Sequence, residues 1–352
     1  MTVPLRVVAW ETTRRCHLAC RHCRGVARDE HYEGELTTQE GKGLIDGIAS
    51  FANPVLILTG GEPMARNDIY DLARYASDRG LHTVMAPCGH LITAGTARRL
   101  KESGIGHISI SIDGATEEAH DSFRGVPGAF KGSLQGIFFA REAGISFQIN
   151  ITVSRLNVIH LPAIVSLAQK LGASAVDFFF LVPTGRGSGL QGLALSPQEY
   201  EQTLNWIADV SENSPIPIRT TCAPHYSRIM LQRKNGMDTA SGHHYSKPRA
   251  CMGGRGFVFV SHRGIVQACG FLDIPCGNVR EENFNLEGIY NNSPVFLKLR
   301  DIDSYHGKCG ICEYRKVCGG CRARAYADTG DYTGSEPSCS YQPALKEKSI
   351  VE

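Results

Sequence analysis

Three cysteines near the start of the chain have a spacing that suits an iron–sulfur cluster. Cys16, Cys20 and Cys23 form the pattern C-x3-C-x2-C, directly after an apolar run typical of a strand. A tight loop with this spacing can place three thiolates on a 4Fe–4S cube and leave the fourth iron open to a small molecule. Zinc is the rival interpretation, because His17 or His22 could close a tetrahedral site. An open iron predicts catalysis, whereas a closed zinc site predicts a structural role.

The C-terminal third contains a second group of patterned cysteines. Seven of them belong to it: Cys251, Cys269, Cys309, Cys312, Cys318, Cys321 and Cys339. Two C-x2-C pairs within this group are also typical of a zinc ribbon, which is the structural alternative here. Cys88 and Cys222 fit no pattern, and we predict that they are packing thiols.

Length and composition set the class of protein. The chain has 352 residues, 42% hydrophobic and 20% charged, which allows one large domain and a smaller one. A formal net charge of +2 predicts no general affinity for nucleic acid or anionic membranes. We see no apolar run that could span a bilayer and no secretory signal, so we expect a cytoplasmic protein. Thirteen cysteines in a reducing compartment indicate metal ligands more readily than disulfides.

Strand and helix patterns alternate between the two cysteine groups. Six short β-branched or aromatic runs predict strands at residues 6–11, 55–58, 82–86, 107–112, 146–153 and 175–181. Capping boxes begin helices at Thr37 and Ser196, and Gly80, Gly104, Gly144 and Gly172 are predicted to end helices. The pattern predicts an α/β fold, a partial (β/α)6 parallel barrel with functional loops at the carboxyl ends of its strands. We place the barrel at 1–187, a bridging region at 188–250, a small cysteine-rich domain at 251–342 and a loose tail at 343–352.

A glycine-rich motif follows the second predicted strand. Gly60, Gly61, Glu62 and Pro63 come directly after Thr59. The glycines allow backbone polar groups to approach a ligand closely, and the carboxylate of Glu62 could pair with an ammonium group. One strand after a C-x3-C-x2-C loop, this turn predicts a binding site.

This combination of motifs resembles the radical S-adenosylmethionine (SAM) superfamily over residues 6 to about 185. The resemblance implies that Cys16, Cys20 and Cys23 hold a 4Fe–4S cluster whose open iron is chelated by SAM, and that Gly60 to Pro63 bind the SAM amino group. It also implies that further residues lie beside the ribose, carboxylate or nucleoside of SAM: Ser111, Asp113, Arg124, Asn150 and Thr152. His22 departs from the family, which usually has an aromatic residue before the third cysteine.

The C-terminal cysteines resemble the SPASM extension of that superfamily, which holds one or two auxiliary 4Fe–4S clusters. The resemblance implies one set of ligands that we call the tail set: Cys309, Cys312, Cys318 and Cys339. It implies a second, the middle set, formed by Cys251, Cys269 and Cys321, with Cys276 as a candidate fourth ligand. The family's last pair is usually C-x3-C, whereas this chain has Cys318-x2-Cys321, so the division of ligands stays open.

Residues 8–16, 180–187, 221–226 and 318–326 resemble the tetrapyrrole-modifying members of the superfamily, above all those that make haem b in the sirohaem-dependent haem pathway. This resemblance implies a 5′-deoxyadenosyl radical that abstracts a hydrogen from propionate side chains of iron-coproporphyrin III. Loss of carbon dioxide and one electron would leave a vinyl group at each of two propionates. An auxiliary cluster would accept the electron, an external donor such as ferredoxin or flavodoxin would reduce the SAM cluster, and we expect a monomer.

Such a substrate would need arginines for its carboxylates and a histidine for its iron. The candidates are Arg186, Arg322, Arg324 and His225, with Tyr226 as a hydrogen-bond or proton donor. Alternative functions are synthesis of haem d1, deacetylation of didecarboxysirohaem, peptide maturation or non-catalytic electron transfer. His243 and His244 form a further pair in a polar loop, where solvation is the commoner state.

Overall fold

The structure is a computed structural model that describes residues 3–235 and 250–344. His243, His244 and the tail after residue 344 lie outside these ranges. Among the helices within them, none combines the length and the apolar character that a membrane crossing needs.

Seven parallel strands form the main part of one sheet. They lie side by side in chain order: β1 (Val7–Thr13), β2 (Val55–Gly60), β3 (His82–Met85), β4 (His107–Ser111), β5 (Ser146–Val153), β6 (Val176–Phe180) and β7 (Ile218–Thr221). The predicted α/β class and its parallel sheet are confirmed, and the first six strands lie within two residues of their predicted bounds. The seventh strand was not predicted, and it extends the sheet beyond β6.

The chain returns to the other edge of the sheet after residue 250. Strand β8 (Phe257–Val260) pairs in parallel with β1, so that Val7 lies opposite Phe257. Two antiparallel strands, β9 (Ile265–Gln267) and β10 (Gly277–Asn278), complete a ten-stranded sheet. The C-terminal cysteine region is therefore joined by backbone hydrogen bonds to the strand that leads into the first cysteine loop.

Helices connect the strands and cover the sheet. They are α1 (Thr38–Ala49), α2 (Ile69–Asp78), α3 (Ala94–Glu102), α4 (Glu117–Arg124), α5 (Ala129–Glu142), α6 (Leu161–Leu171), α7 (Pro197–Asn213), α8 (His225–Asn235), α9 (Leu286–Asn292), α10 (Pro294–Arg300), α11 (Gly307–Ile311) and α12 (Arg322–Thr329). Both predicted capping boxes are confirmed, because Thr37 and Ser196 each exchange hydrogen bonds with the glutamate three residues later. Gly172 ends α6 in the left-handed conformation, as predicted.

The strands have one apolar and one polar face. In β5 the side chains of Phe147, Ile149 and Ile151 are buried, whereas the alternating Asn150 and Thr152 are only half-buried. Because side chains alternate along a strand, the polar residues share the face opposite the apolar core. This polar face is continued on the neighbouring strands.

Candidate cysteine-ligated metal sites

The N-terminal cysteine set, Cys16, Cys20 and Cys23, lies in the loop that follows β1. Cys16 and Cys20 are buried, and Cys23 is half-buried. Each sulfur accepts one N–H hydrogen bond: Cys16 from Leu18 N (3.4 Å), Cys23 from Ala27 N (3.4 Å) and Cys20 from Arg124 Nη1 (3.6 Å). Burial raises the pKa of Cys16 to about 12, so its thiolate needs a positive metal centre beside it. Hydrogen bonds to the sulfurs are a determinant of the potential of an iron–sulfur cluster.

Arg124, at the end of α4, connects the cysteine loop to the end of β4. Its Nη2 lies 2.5 Å from Asp113 Oδ2, and both side chains are buried. Asp113 also accepts a hydrogen bond from Thr152 N through Oδ1 (2.7 Å). Arg124 Nε is a buried donor with no hydrogen-bond partner within the described residues. A buried guanidinium with a free N–H beside a cysteine loop fits a ligand that carries a carboxylate.

Gly60 and Gly61 hold the beginning of the cysteine loop by close backbone contact. A Cβ atom at Gly60 would lie 2.3 Å from Thr13 O, and one at Gly61 would lie 2.3 Å from Arg14 O. Gly61 N donates to Thr13 O (2.8 Å), which only this approach allows. Close contact with the backbone of the cysteine loop is therefore sufficient to explain why these two positions need glycine.

Glu62 is fully buried, and its carboxylate joins two loops. Oε1 accepts from Met64 N (2.9 Å), and Oε2 accepts from Cys88 N in the loop after β3 (2.7 Å). Burial raises the pKa of Glu62, while the hydrogen bonds from these amides oppose that rise. Both oxygens keep a further lone pair for an ammonium group.

Ser111 and Asn150 are neighbours on the polar face of the sheet. Ser111 on β4 lies opposite Asn150 on β5, which in turn lies opposite Asp177 on β6. Asn150 Oδ1 accepts a hydrogen bond from Gln148 Nε2 (2.8 Å). The sequence prediction brought Ser111 and Asn150 to one site, and the structure places them on adjacent strands of one face.

Glu11 was missed by the sequence analysis. This buried carboxylate on β1 lies 2.8 Å from Arg24 Nη2, 3.2 Å from Arg14 Nη2 and 2.7 Å from His262 Nδ1. Burial opposes its ionisation, but the hydrogen bond with His262 and the charges of Arg24 and Arg14 hold the pKa of Glu11 well below its usual range. Through these contacts, Glu11 links the cysteine loop to the turn after β8. No local pattern could have revealed it, because Glu11 and His262 are 251 residues apart.

Arg186 lies against the cysteine loop. Its Nε donates to Cys20 O and its Nη1 donates to Ala27 O, both at 2.8 Å, and its backbone N donates to Cys23 O at 3.0 Å. We predicted that this arginine binds a substrate carboxylate. Nε and Nη1 therefore hold two carbonyl groups of the loop, which favours a positioning role, while Nη2 is a buried donor with no hydrogen-bond partner within the described residues.

The tail set surrounds one cavity. Cys309, Cys312, Cys318 and Cys339 all line it, together with four basic side chains, those of His225, Arg228, Lys308 and Arg315. Arg322 Nη2 donates to Cys309 Sγ at 3.3 Å. Four thiols with several positive groups fit an anionic cluster, because the positive charges offset that of the thiolates.

Glu336 connects the tail set to Cys321. The fully buried carboxylate lies 2.8 Å from His225 Nε2 and 3.1 Å from Arg324 Nη1, and Cys321 N donates to it at 3.5 Å. Burial alone would lower the pKa of His225, but Glu336 and Cys339 raise it to about 9, so this histidine is a cation. His225 and Arg324 are both more than nine-tenths buried. Their contacts favour a role in holding the cysteine sites over the predicted binding of substrate iron and carboxylate.

Arg322 and Tyr226 also differ from their predicted surroundings. Arg322 is buried, and besides Cys309 its Nη1 donates to Gly334 O at 2.7 Å. Tyr226 is half-buried at the start of α8 and packs against the main core. These contacts favour structural roles for both residues.

The spacing of the thiols bears on the choice between zinc and iron–sulfur clusters. Within residues 3–235 and 250–344, one group of three histidine, cysteine or acidic residues has all of its ligand atoms within 4.8 Å of one another. This group is His17, Cys88 and His90. No three cysteines of the N-terminal, middle or tail set are that close. A tetrahedral zinc ion with Zn–S bonds of about 2.3 Å would hold its sulfurs about 4 Å apart. Within the described residues, no three of these thiols are therefore already arranged as in a tetrahedral zinc site.

The fold and the N-terminal site define the class of protein. A model of the radical SAM superfamily matches residues 10–168, which span the cysteine loop and strands β2 to β5. The crystal structure of Streptococcus suis SuiB bound to S-adenosylmethionine is similar in fold, with a TM-score of 0.75 at 14% identity, over 96% of this chain and 78% of that one. The chain belongs to the radical SAM superfamily, whose members bind a 4Fe–4S cluster and SAM.

Similarity to individual members extends over nearly the whole chain. It is 49% identical to the AdoMet-dependent heme synthase of Nitratidesulfovibrio vulgaris over 349 residues, which cover 96% of this chain and 93% of that protein. It is 48% identical to the AdoMet-dependent heme synthase of Methanosarcina barkeri, over 98% of this chain and 99% of that protein. These matches include the C-terminal cysteine region as well as the barrel.

Proposed function

We propose that this chain makes haem b from iron-coproporphyrin III by oxidative decarboxylation of two propionate side chains. The observation that carries the proposal is the identity of 48–49% over almost the full length of two proteins named AdoMet-dependent heme synthase. The matched regions span 96% and 98% of this chain, so the proposal concerns the whole molecule.

The N-terminal cysteine set would hold the cluster that binds SAM. When bound there, the cluster and SAM would supply the radical chemistry that removes a hydrogen atom from a propionate β-carbon. Arg124, with its free Nε donor, would orient the SAM carboxylate, and Glu62 would accept from the SAM ammonium. Ser111, Asn150 and Asp113 would bind the nucleoside from the polar face of the sheet.

The substrate would lose carbon dioxide and one electron at each propionate, which leaves a vinyl group. We propose that the C-terminal cysteines hold auxiliary 4Fe–4S clusters that accept this electron. The cavity lined by four thiols and four basic residues supports this for the tail set.

The residues that bind the propionates lie elsewhere in this proposal than the sequence predicted. Arg186, Arg322 and Arg324 are engaged with carbonyls, a cysteine sulfur or Glu336. We therefore assign them to the cluster sites.

Anaerobic turnover tests the proposal directly. Protein reconstituted with iron and sulfide would be incubated with SAM, a strong reductant and iron-coproporphyrin III, and the porphyrin followed by liquid chromatography and mass spectrometry. We expect two successive losses of carbon dioxide and two hydrogens, with formation of 5′-deoxyadenosine. A Cys16→Ala variant is the control, which should form neither product.

Two other results would change the proposal. Formation of 5′-deoxyadenosine with an unchanged porphyrin would refute this substrate, and sirohaem derivatives would be tested next. Vinyl product formed at full rate by a variant without its tail-set cysteines would refute the role of that auxiliary cluster.

A further inference from the structure

Cys222, which fits no sequence pattern, lies in the turn between β7 and α8 with an unusual backbone. Its φ is +59°, in the left-handed region that residues other than glycine rarely adopt. Two buried side chains hold its carbonyl oxygen: Tyr200 OH donates at 3.1 Å and Arg324 Nη2 donates at 3.0 Å. A strained backbone held by two buried donors indicates that the direction of the Cys222 side chain matters.

The thiol of Cys222 faces the middle cysteine set. The Cys222 thiol forms a hydrogen bond with the thiol of Cys321, and it also interacts electrostatically with Cys269. Cys251 and Cys269 face each other across Gly253, since a Cβ atom on that glycine would lie 3.5 Å from Cys251 Sγ and 3.8 Å from Cys269 Cβ. Each of these four thiols interacts electrostatically with at least two of the other three.

Cys276, the fourth ligand suggested by the sequence, has other neighbours. Its thiol donates to Ile274 O at 3.6 Å and interacts with Ser293. No thiol of the middle set is among the groups that act on the pKa of Cys276. The groups that act on the Cys276 sulfur are therefore Ser293, Ile274 O and the backbone of Ala268.

We propose that Cys222 completes the middle set, so that Cys222, Cys251, Cys269 and Cys321 hold a fully ligated auxiliary 4Fe–4S cluster. This proposal rests on one part of the proposed function, namely that the C-terminal cysteines bind iron–sulfur clusters. With four thiolates there is no open iron, so this cluster transfers electrons and does not bind substrate. The guanidinium of Arg324, fixed on the Cys222 carbonyl, offsets part of its negative charge.

The position of the middle set agrees with such a role. Cys251 N donates to Cys318 O of the tail set at 3.3 Å. Arg24, which follows Cys23 of the N-terminal set in the chain, interacts electrostatically with Cys269. The backbone hydrogen bond between Cys251 and Cys318 therefore places the middle set beside the tail set.

The test compares two single cysteine variants of the full chain, Cys222→Ser and Cys276→Ser. After anaerobic reconstitution, iron and sulfide per chain would be measured, and the reduced clusters compared by electron paramagnetic resonance. We expect Cys222→Ser to lose about four irons, or to change the signal of one cluster, while the other signals remain. We expect Cys276→Ser to match the wild type in both measurements.

A Cys222→Gly variant separates the thiol from the backbone. Glycine adopts the left-handed conformation without strain, so this variant keeps or improves folding while it removes the ligand. Loss of the same cluster from both Cys222 variants, with SAM cleavage in the absence of porphyrin retained, would support the proposal.

Three outcomes would overturn it. Wild-type iron content and spectra in both Cys222 variants would show that Cys222 is no ligand. Loss of the cluster from Cys276→Ser alone would assign the site to Cys276. Zinc retained by the wild type in place of about four irons would refute a cluster at this site. None of these measurements depends on haem formation, so a wild type that binds the cluster without making haem b would refute only the proposed function.

Discussion

Replacement of Arg186 by lysine distinguishes two roles for this arginine. In the structure its guanidinium donates to the carbonyl groups of Cys20 and Ala27, both at 2.8 Å, and so spans the cysteine loop. Lysine keeps the positive charge but is a point charge without the planar fork, so it can satisfy one of these carbonyls and not both. The variant should therefore loosen the loop.

The expected size of the effect follows from the lost hydrogen bond. A hydrogen bond to a charged group contributes about 1.5–3 kcal/mol. If that energy is lost from the closed loop alone, the ratio of open to closed loops rises by about 10- to 150-fold. The cluster should then be lost to an iron chelator faster by a similar factor, and SAM cleavage without porphyrin should fall.

The assay measures chelator-driven loss of iron together with porphyrin binding. For cluster-loaded Arg186→Lys, we expect rapid iron loss but an unchanged Kd for iron-coproporphyrin III. Arg155→Lys is the matched control, because Arg155 forms an exposed ion pair with Glu199 at 2.9 Å and should behave as the wild type. A stable cluster with a Kd raised tenfold or more would refute our reasoning and restore the predicted contact with a propionate.

Three further predictions follow from buried contacts. Gly61→Ala would place a methyl group 2.3 and 2.4 Å from two carbonyl oxygens of the cysteine loop, so iron analysis should show loss of the N-terminal cluster, whereas Gly106→Ala, with nothing within 4 Å, should keep it. Burial raises the pKa of Asp177 from 3.8 to about 6, so stability falls as pH rises through this range. Asp177→Asn should therefore raise the free energy of unfolding by about 2–3 kcal/mol near pH 8, and by less near pH 5, in anaerobic urea titrations. Arg322→Lys removes a donor from Cys309 Sγ and should lower the reduction potential of the tail-set cluster in a spectroscopic redox titration; an unchanged potential would contradict that role.

The local parts of this structure could be predicted from the sequence. Six strands were found because each is a short β-branched or aromatic run, and Thr37 and Ser196 were found because a capping box is a local motif. Strand β8 has a comparable signal in Phe257–Val260, but its parallel pairing with β1 depends on residues far apart in the chain.

The roles of the arginines could not be predicted in the same way. Residue type and a strand-end position suggested a substrate carboxylate for Arg186, yet its partners are backbone carbonyls 159 and 166 residues away. The same limit applies to Glu11, whose partner His262 is 251 residues away, and to Glu336, whose partner His225 lies on α8. A buried charge is defined by what surrounds it, and spacing along the chain does not contain that information.

The pairing of β1 with β8 also has a consequence for synthesis of the chain. One edge of β1 pairs with β2, which follows it closely in the chain. The other edge pairs with Phe257–Val260, and Glu11 on β1 pairs with His262, so both contacts form only after these later residues have been made. During translation the edge of a buried apolar strand therefore stays open until about three quarters of the protein has left the ribosome. An open strand edge is prone to aggregation. A truncated chain that ends before β8 should for this reason need chaperones to remain in solution, although it contains every residue of the superfamily match.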